Sequence, residues 1–219
     1  MSEPDTRSGS RRRFLNLTAA LALLLAFVPA TAIAECRMAV LGDSLTAGYG
    51  IDLEAAFPAR LEQALAAEGI ACEILDAGVS GDTSAGGLAR IDWVLDEQPT
   101  HLLVELGGND ALRGLPVENL EANLAGIIER AQEDGVAVKL AGMLAPPNLG
   151  RRYTEPFAAV YEELADRYDV PLYPFFLEGA IGQQALMQPD GIHPNEAGVA
   201  VIVERILPYV TAWLDATID

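Results

Sequence analysis

The chain has 219 residues and a formal net charge of −18 at neutral pH, from 14 basic and 32 acidic side chains. This length suits one domain with a full hydrophobic core, and no linker or shift in composition marks a second domain. The acidic balance excludes nucleic acid as a partner. It also disfavours strongly anionic membranes and polyanionic substrates, because like charges repel one another at long range.

The N-terminal segment 1–34 is typical of a cleaved export signal. Arginines at 11–13 precede an apolar run over 17–28, and an A-x-A cleavage site follows at 32–34. The apolar run is shorter than the ~20 residues that span a bilayer, so we expect cleavage and no stable membrane anchor. The letters SRRRFLN also resemble a twin-arginine signal, with export of the unfolded chain as the alternative. We therefore expect one folded domain, 35–219, in a periplasmic or secreted protein.

The two cysteines of the chain, Cys36 and Cys72, each begin a short apolar run that predicts a β-strand. If these strands are parallel neighbours, both cysteines lie at the same end of the sheet. In an oxidising compartment they could form a disulfide, which would stabilise the fold by roughly 4 kcal/mol in the chain-entropy model. Two buried free thiols are the alternative.

Short apolar runs that alternate with helical patterns predict the sheet. The runs are 38–41, 71–75, 101–106, 136–143 and 170–173. Strands that are apolar throughout are typical of a parallel sheet that is covered on both faces. Right-handed crossover helices would then form the outer layers. The fold class predicted from the sequence is therefore a three-layer α/β/α sandwich.

Two helices have clear apolar stripes. One begins at Pro116, ends before Gly135 and has the stripe Val117, Leu120, Leu124, Ile127, Ile128 and Ala131. The last helix is predicted over 195–214, with the stripe Val199, Ile202, Ile206, Tyr209 and Trp213. Pro208 interrupts this helix, and we expect a kink there.

The loops that follow the strands form the candidate site, because ligands of open α/β sheets bind at the carboxyl ends of the strands. The polar segments are GDSLTAGY from 42, GVSGDTS from 78, GGND from 107 and, before the last helix, DGIHP from 190. The last segment contains His193, one of two histidines in the chain. The other, His101, begins a strand at the opposite edge of the sheet.

These loops contain the parts of a nucleophilic triad. A serine hydroxyl needs an adjacent base, most often a histidine that a carboxylate orients. Ser44 could act as the nucleophile and His193 as the base. Asp190 precedes His193 by three residues, a spacing that suits a local pairing with Nδ1.

The same loops provide donors for a developing oxyanion. Candidates are the backbone N–H groups of Ser44 and Gly81 and the side-chain amide of Asn109. Each segment could also be ordinary turn chemistry, and the joint placement is what favours acyl transfer. The G-x-S-x-G nucleophile elbow is absent, which disfavours a standard α/β-hydrolase. No set of side chains has metal-ligand spacing, so we expect neither a metal nor a cofactor.

Four ordered segments resemble the blocks of the SGNH, or GDSL, hydrolase superfamily: LGDSLTAGYG, SGDTSAGGLARI, VELGGNDALRG and DGIHPN. The resemblance is strongest to the bacterial periplasmic arylesterase, acyl-CoA thioesterase I and lysophospholipase subgroup. It implies a flavodoxin-like five-stranded parallel sheet of order 2-1-3-4-5. It also implies the triad and the oxyanion donors named above. In that order the first two strands are neighbours, which supports the pairing of Cys36 with Cys72.

The resemblance implies a serine hydrolase that cleaves a small-molecule acyl ester or thioester, and we expect a monomer. By the same similarity, Leu112 and Leu115 are candidate acyl contacts, and the segment 146–153 should border the acyl site. Two alternatives remain open. One is an esterase that removes acetyl groups from envelope polysaccharide, and the other is an acyl-chain carrier without turnover.

Overall fold

The fold is that of a computed structural model, which describes Met1 and residues 36–217. The predicted export signal, 1–34, lies outside these described residues except for Met1, and its cleavage stays a prediction. Within 36–217 the chain forms a five-stranded sheet of order β2-β1-β3-β4-β5 in which every pairing is parallel. The predicted α/β sandwich and its strand order are confirmed.

All five apolar runs form strands, with shifts of a few residues at their ends. The strands are β1 (Cys36–Gly42), β2 (Cys72–Gly78), β3 (His101–Glu105), β4 (Ala137–Ala141) and β5 (Leu172–Tyr173). The inner strands β1 and β3 are almost fully buried, as strands covered on both faces must be.

The first two strands pair so that Cys36 lies opposite Cys72, and the structure joins the two residues by a disulfide. The disulfide links the amino ends of the two strands. At the other end of the same pairing, Gly42 lies opposite Gly78. A β-carbon on Gly78 would lie 2.4 Å from the Ala47 backbone nitrogen, so the loop after β1 can pack here only against glycine.

The helices are α1 (Phe57–Ala67), α2 (Ser84–Ala89), α3 (Ile91–Leu95), α4 (Gly108–Leu112), α5 (Val117–Glu133), α6 (Arg151–Tyr168) and α7 (Glu196–Thr217). Short 3-10 turns occupy Leu53–Ala55 and Pro147–Leu149. Helix α1 packs with α7, whereas α5 packs with α2 and α6. These two groups form the outer layers on either side of the sheet.

Helix α5 confirms its predicted apolar stripe, except that Pro116 is the residue before the helix and not its first residue. In helix α7, one residue of the predicted apolar stripe is wrong. Tyr209 is 47% exposed and Val210 is fully buried in its place. The spacing from Ile206 allows either residue, and the buried face of the helix turns towards 210, which leaves Tyr209 at the margin with its ring against Tyr173.

Helix α7 continues through Pro208 to Thr217, and the predicted kink stays a prediction. By length and composition α7 could cross a membrane, but 44% of its apolar window is buried inside the fold. Its buried residues include Ile202, Ile206 and Trp213. Within the described residues α7 therefore serves as a core helix.

Candidate active site

The carboxyl ends of β1, β2 and β3 lie side by side, because Gly42 is opposite both Gly78 and Glu105. The loop that contains Ser44 leaves the central one of these strands. The loop of Gly81 leaves one neighbour, and α4 begins just after the other. The sheet register alone therefore places three of the four polar segments together.

Ser44, His193 and Asp190 form a continuous hydrogen-bonded relay. The Ser44 Oγ lies 2.8 Å from His193 Nε2, and His193 Nδ1 lies 2.6 Å from Asp190 Oδ2. Ser44 is 8% exposed, so its hydroxyl is sheltered from bulk water. This arrangement lets a histidine accept a serine proton while a carboxylate holds the other ring nitrogen.

Asp190 is held in place by its own loop as well as by the imidazole. Its Oδ1 accepts hydrogen bonds from the backbone N–H groups of Ile192, at 2.9 Å, and His193, at 3.0 Å. The hydrogen bonds from His193 and from the two N–H groups lower the pKa of Asp190 to about 2. The carboxylate is therefore ionised throughout the neutral range.

A clamp holds the histidine loop against the serine loop. The Gln188 side chain donates to the Tyr49 carbonyl, at 2.6 Å, and to the Pro194 carbonyl, at 2.9 Å. The Tyr49 ring lies 4.6 Å from the His193 ring, centroid to centroid. These contacts restrain both the position and the tilt of the imidazole.

Asn109 faces the serine loop, and its side-chain amide already makes one hydrogen bond within the protein. Its Nδ2 donates to Asp43 Oδ2 at 2.8 Å, and Asp43 Oδ1 accepts the Leu45 N–H at 2.9 Å. An amide nitrogen carries two hydrogens, so one remains for a substrate oxygen. Asp43 thus orients the donor predicted from the sequence.

The two predicted backbone donors differ in their surroundings. Among the hydrogen bonds of the described residues, neither the Ser44 N–H nor the Gly81 N–H is a donor. Gly81 adopts φ +86°, and its carbonyl accepts a 2.7 Å hydrogen bond from Arg113. Gly81 does not line the cavity that Ser44 lines. The Gly81 N–H therefore has no hydrogen-bond acceptor among the described residues, but it does not lie at the wall of the cavity that Ser44 lines.

Two buried acids lie beneath the serine loop. Burial raises the pKa of Asp43 to about 6, and burial together with the charge of Asp43 raises the pKa of Glu105 well above its ordinary value. Glu105 Oε2 accepts a 2.8 Å hydrogen bond from the Thr46 hydroxyl, and its Oε1 has no partner among the described residues. Burial therefore favours the protonated, uncharged form of Glu105.

Ser44, Asn109 and His193 share a cavity of about 670 Å³. Its wall is mostly apolar and includes Leu112, Met143, Leu144, Pro146, Phe175, Leu177, Ile181 and Ile192. An apolar cavity that converges on a few polar groups fits a ligand with a hydrocarbon part and one reactive polar bond.

A model of the GDSL-like lipase/acylhydrolase family matches residues 40–201, which include all four polar loops. The chain belongs to this family.

Curated relatives agree with this GDSL assignment. Esterase TesA of Pseudomonas aeruginosa is 43% identical over 90% of this chain and 96% of its own. Thioesterase 1/protease 1/lysophospholipase L1 of Escherichia coli is 39% identical over 88% of each chain. An arylesterase of Vibrio mimicus is 39% identical over 85% of this chain and 94% of its own.

Solved GDSL-family structures have the same fold. The crystal structure of TesA matches with a TM-score of 0.78 at 43% identity, over 81% of this chain and 99% of that one. AlinE4, an SGNH-hydrolase family esterase, matches with a TM-score of 0.70 at 46% identity, over 82% of this chain and 97% of that one. Membership of this family makes the protein a carboxylic ester hydrolase.

The two candidate acyl contacts separate in the structure. Leu112 lines the cavity, whereas Leu115 is outside it, half-buried, with its carbonyl bonded to the Tyr153 hydroxyl. The structure therefore places Leu112, but not Leu115, at the wall of this cavity, and acyl contact by either leucine stays a prediction. The segment expected at the border enters the wall only through Pro146 and Pro147.

Sequence reasoning missed Asp43, Glu105 and Gln188. Asp43 carried a signal, since an acid directly after a buried strand and directly before a nucleophile must itself be nearly buried. Glu105 also carried one, as an acid within an apolar strand. Gln188 had none, because its two partners lie on segments that only the tertiary fold brings together.

Proposed function

We propose that this GDSL-family enzyme hydrolyses carboxylic esters and thioesters of acyl chains through an acyl-enzyme on Ser44. The observation that carries the proposal is the Ser44–His193–Asp190 relay at the wall of an apolar cavity. The substrate is a small-molecule ester or thioester, and the reaction needs no cofactor.

In the first half of the reaction, the Ser44 hydroxyl attacks the substrate carbonyl carbon as His193 Nε2 takes its proton. The negative charge on the carbonyl oxygen receives hydrogen bonds from the Ser44 and Gly81 N–H groups and the second Asn109 amide hydrogen. The bond to the leaving group then breaks, and His193 returns the proton to the departing alcohol or thiol. Asp190 stays ionised and stabilises the imidazolium in between.

In the second half, His193 takes a proton from water, and the resulting hydroxide attacks the acyl-enzyme. The tetrahedral intermediate collapses with proton return to Ser44 Oγ, which releases the carboxylic acid. The same donors serve both halves, so one site suffices for esters and thioesters.

The cavity supports acyl chains longer than acetate. About 670 Å³ with a wall of leucine, isoleucine, phenylalanine, proline and methionine side chains is more than an acetyl group needs. The names of the relatives, esterase, arylesterase and thioesterase 1/protease 1/lysophospholipase L1, fit such a range of substrates. The disulfide between Cys36 and Cys72 supports a periplasmic or secreted location after removal of 1–34.

The test is hydrolysis of p-nitrophenyl esters from acetate to palmitate by residues 35–219 and by the Ser44→Ala variant. Ser80→Ala is the matched control, because Ser80 is an exposed serine of the neighbouring loop. We expect turnover to be lost in Ser44→Ala, kept in Ser80→Ala and greatest on medium or long acyl chains. Turnover that survives in Ser44→Ala would overturn the mechanism, and activity on acetate alone would indicate a polysaccharide deacetylase.

A further inference from the structure

A buried lysine lines a second cavity, at the amino ends of β4 and β5 and away from the candidate active site. Lys139 is in the middle of β4, beside Leu103 of β3, and is 2% exposed. Charged side chains are almost never this deeply buried unless they are paired, because removal of a charge from water is costly. The surroundings of Lys139 must therefore compensate the ammonium group.

The protein supplies only part of that compensation. The Lys139 Nζ lies 5.9 Å from the ring centroid of Tyr209 and 5.8 Å from that of Trp213, at the distance of cation–π contacts. Among the described residues, no carboxylate oxygen lies within 4.0 Å of Nζ and no side chain accepts a hydrogen bond from it. Burial lowers the pKa of Lys139 to about 8, so the group is still mostly protonated at pH 7.

The lysine lines a cavity of about 680 Å³, which we name the amino-end cavity because it contains Val136 and Val170, just before the amino ends of β4 and β5. The rest of its wall is mainly apolar and aromatic, and among the described residues Lys139 is its one base and Asp169 its one acid. It shares no wall residue with the cavity of Ser44.

We propose that the amino-end cavity binds an amphiphilic monocarboxylate, a free fatty-acid anion, with its carboxylate on Lys139 and its hydrocarbon chain along the apolar wall. Among residues 36–217, one cation without an acidic partner matches one negative charge. A doubly charged phosphate would call for a second cation, and the described wall has none. A cationic ligand would be repelled, and a neutral one would leave the ammonium uncompensated. The site does not depend on the chemistry proposed for Ser44.

Trp213 provides a direct readout, because its ring is next to Lys139 and the only other tryptophan of the chain, Trp93, is 77% exposed on α3. In a Trp93→Phe background, the fluorescence of Trp213 is titrated with decanoate and, separately, with decan-1-ol. The two ligands share a hydrocarbon chain and differ in charge. We expect both to change the fluorescence, with decanoate bound more tightly.

Lys139→Met removes the charge and keeps an unbranched side chain in the wall, and Lys139→Gln serves if the methionine variant does not fold. We expect decanoate affinity to fall at least tenfold in the variant while decan-1-ol affinity and p-nitrophenyl acetate hydrolysis stay unchanged. Equal decanoate affinity in the variant would overturn the proposal. So would the absence of any Trp213 response at decanoate concentrations below those at which micelles form.

Discussion

The two ends of the sheet bury polar residues in different ways. At the carboxyl end, the side chains of the relay and of the oxyanion site have partners, from Asn109 on Asp43 to His193 on Asp190. At the amino end, His101 has two hydroxyl partners at 2.8 Å, whereas Lys139 has aromatic rings as its partners among the described residues. Hydrogen bonds between side chains hold the catalytic groups in one geometry, which chemistry requires. An incompletely paired charge instead leaves a place for a ligand.

The buried titratable groups at the two ends also differ, with acids at one end and bases at the other. Beneath the serine loop the buried groups are the acids Asp43 and Glu105, whose pKa values burial raises. At the amino end they are Lys139 and His101, whose pKa values burial lowers. Desolvation is the leading cause in all four, and it disfavours the charged form in each. Because the proposed catalytic groups lie at the carboxyl end, we expect variants at that end to change turnover and variants at the amino end to leave it unchanged.

The largest effect is expected for Asp190→Asn. The variant keeps the shape of the side chain but can no longer hold His193 in the tautomer that accepts the serine proton. We expect kcat to fall roughly 10³- to 10⁴-fold, as in other triads. Steady-state hydrolysis of p-nitrophenyl butyrate measures it. Asp169→Asn, which removes the acid of the amino-end cavity, is the control and should leave kcat unchanged. A loss below tenfold in Asp190→Asn would contradict the assigned role.

Removal of the disulfide tests whether the amino end of the sheet contributes to the stability of the fold and not to catalysis. Replacement of both Cys36 and Cys72 by alanine releases a bridge with a sequence separation of 36 residues. In the chain-entropy model this costs about 4 kcal/mol, which lowers Tm by roughly 10 °C in a domain of this size. Thermal unfolding measures the loss. At 20 °C we expect kcat to be unchanged, and a kcat that fell with Tm would show that the two ends are coupled.

Asn109→Ala removes a donor to the oxyanion and a partner of Asp43. We expect kcat to fall roughly 10²- to 10³-fold, with little change in KM, because the hydrogen bond forms in the transition state. Asn123→Ala is the matched control. It also deletes an amide that bonds a buried side chain, Ser84, but does so away from the cavity of Ser44. Similar losses of kcat in both variants would point to a general loss of structure at this end.

Glu105→Gln separates the charge of the buried acid from its shape. Burial raises the pKa of Glu105 in the folded protein, whereas the unfolded chain releases this proton above its ordinary pKa of 4.5. Stability from this group is therefore complete at low pH and is lost as pH rises towards the folded pKa. Glutamine is neutral at every pH, so the Tm of the variant should rise relative to that of the wild type as the pH increases from 5 to 8. Glu118→Gln, which removes an exposed acid, controls for net charge, and a constant Tm difference would contradict the prediction.

Much of the fold and of the site could be predicted because the signals were local. Fully apolar strands predict a sheet with two covered faces, and polar segments directly after such strands predict where Ser44 and Asn109 lie. The partners of buried side chains could not be predicted, since they depend on contacts between distant segments. Lys139 was overlooked although it interrupts a run expected to be buried on both faces. A charge in such a run was a usable signal.

The smallest expected effect separates two leucines that the sequence could not distinguish. Leu112 is at the end of α4 and lines the cavity, while Leu115 is three residues further and outside it. Leu112 is already 52% exposed, so its truncation to alanine removes only part of an apolar contact with the substrate, worth about 1 kcal/mol.

For Leu112→Ala we therefore expect kcat/KM to fall three- to tenfold on p-nitrophenyl decanoate and to stay unchanged on the acetate, which does not reach that wall. Leu115→Ala is the matched control, with the same truncation three residues further along the chain and no expected change in the ratio between the two substrates. Equal losses on acetate and decanoate in Leu112→Ala would mean that Leu112 supports the site and does not contact the chain. A change of chain-length preference in Leu115→Ala would instead mean that the loop after α4 moves into the cavity when substrate binds.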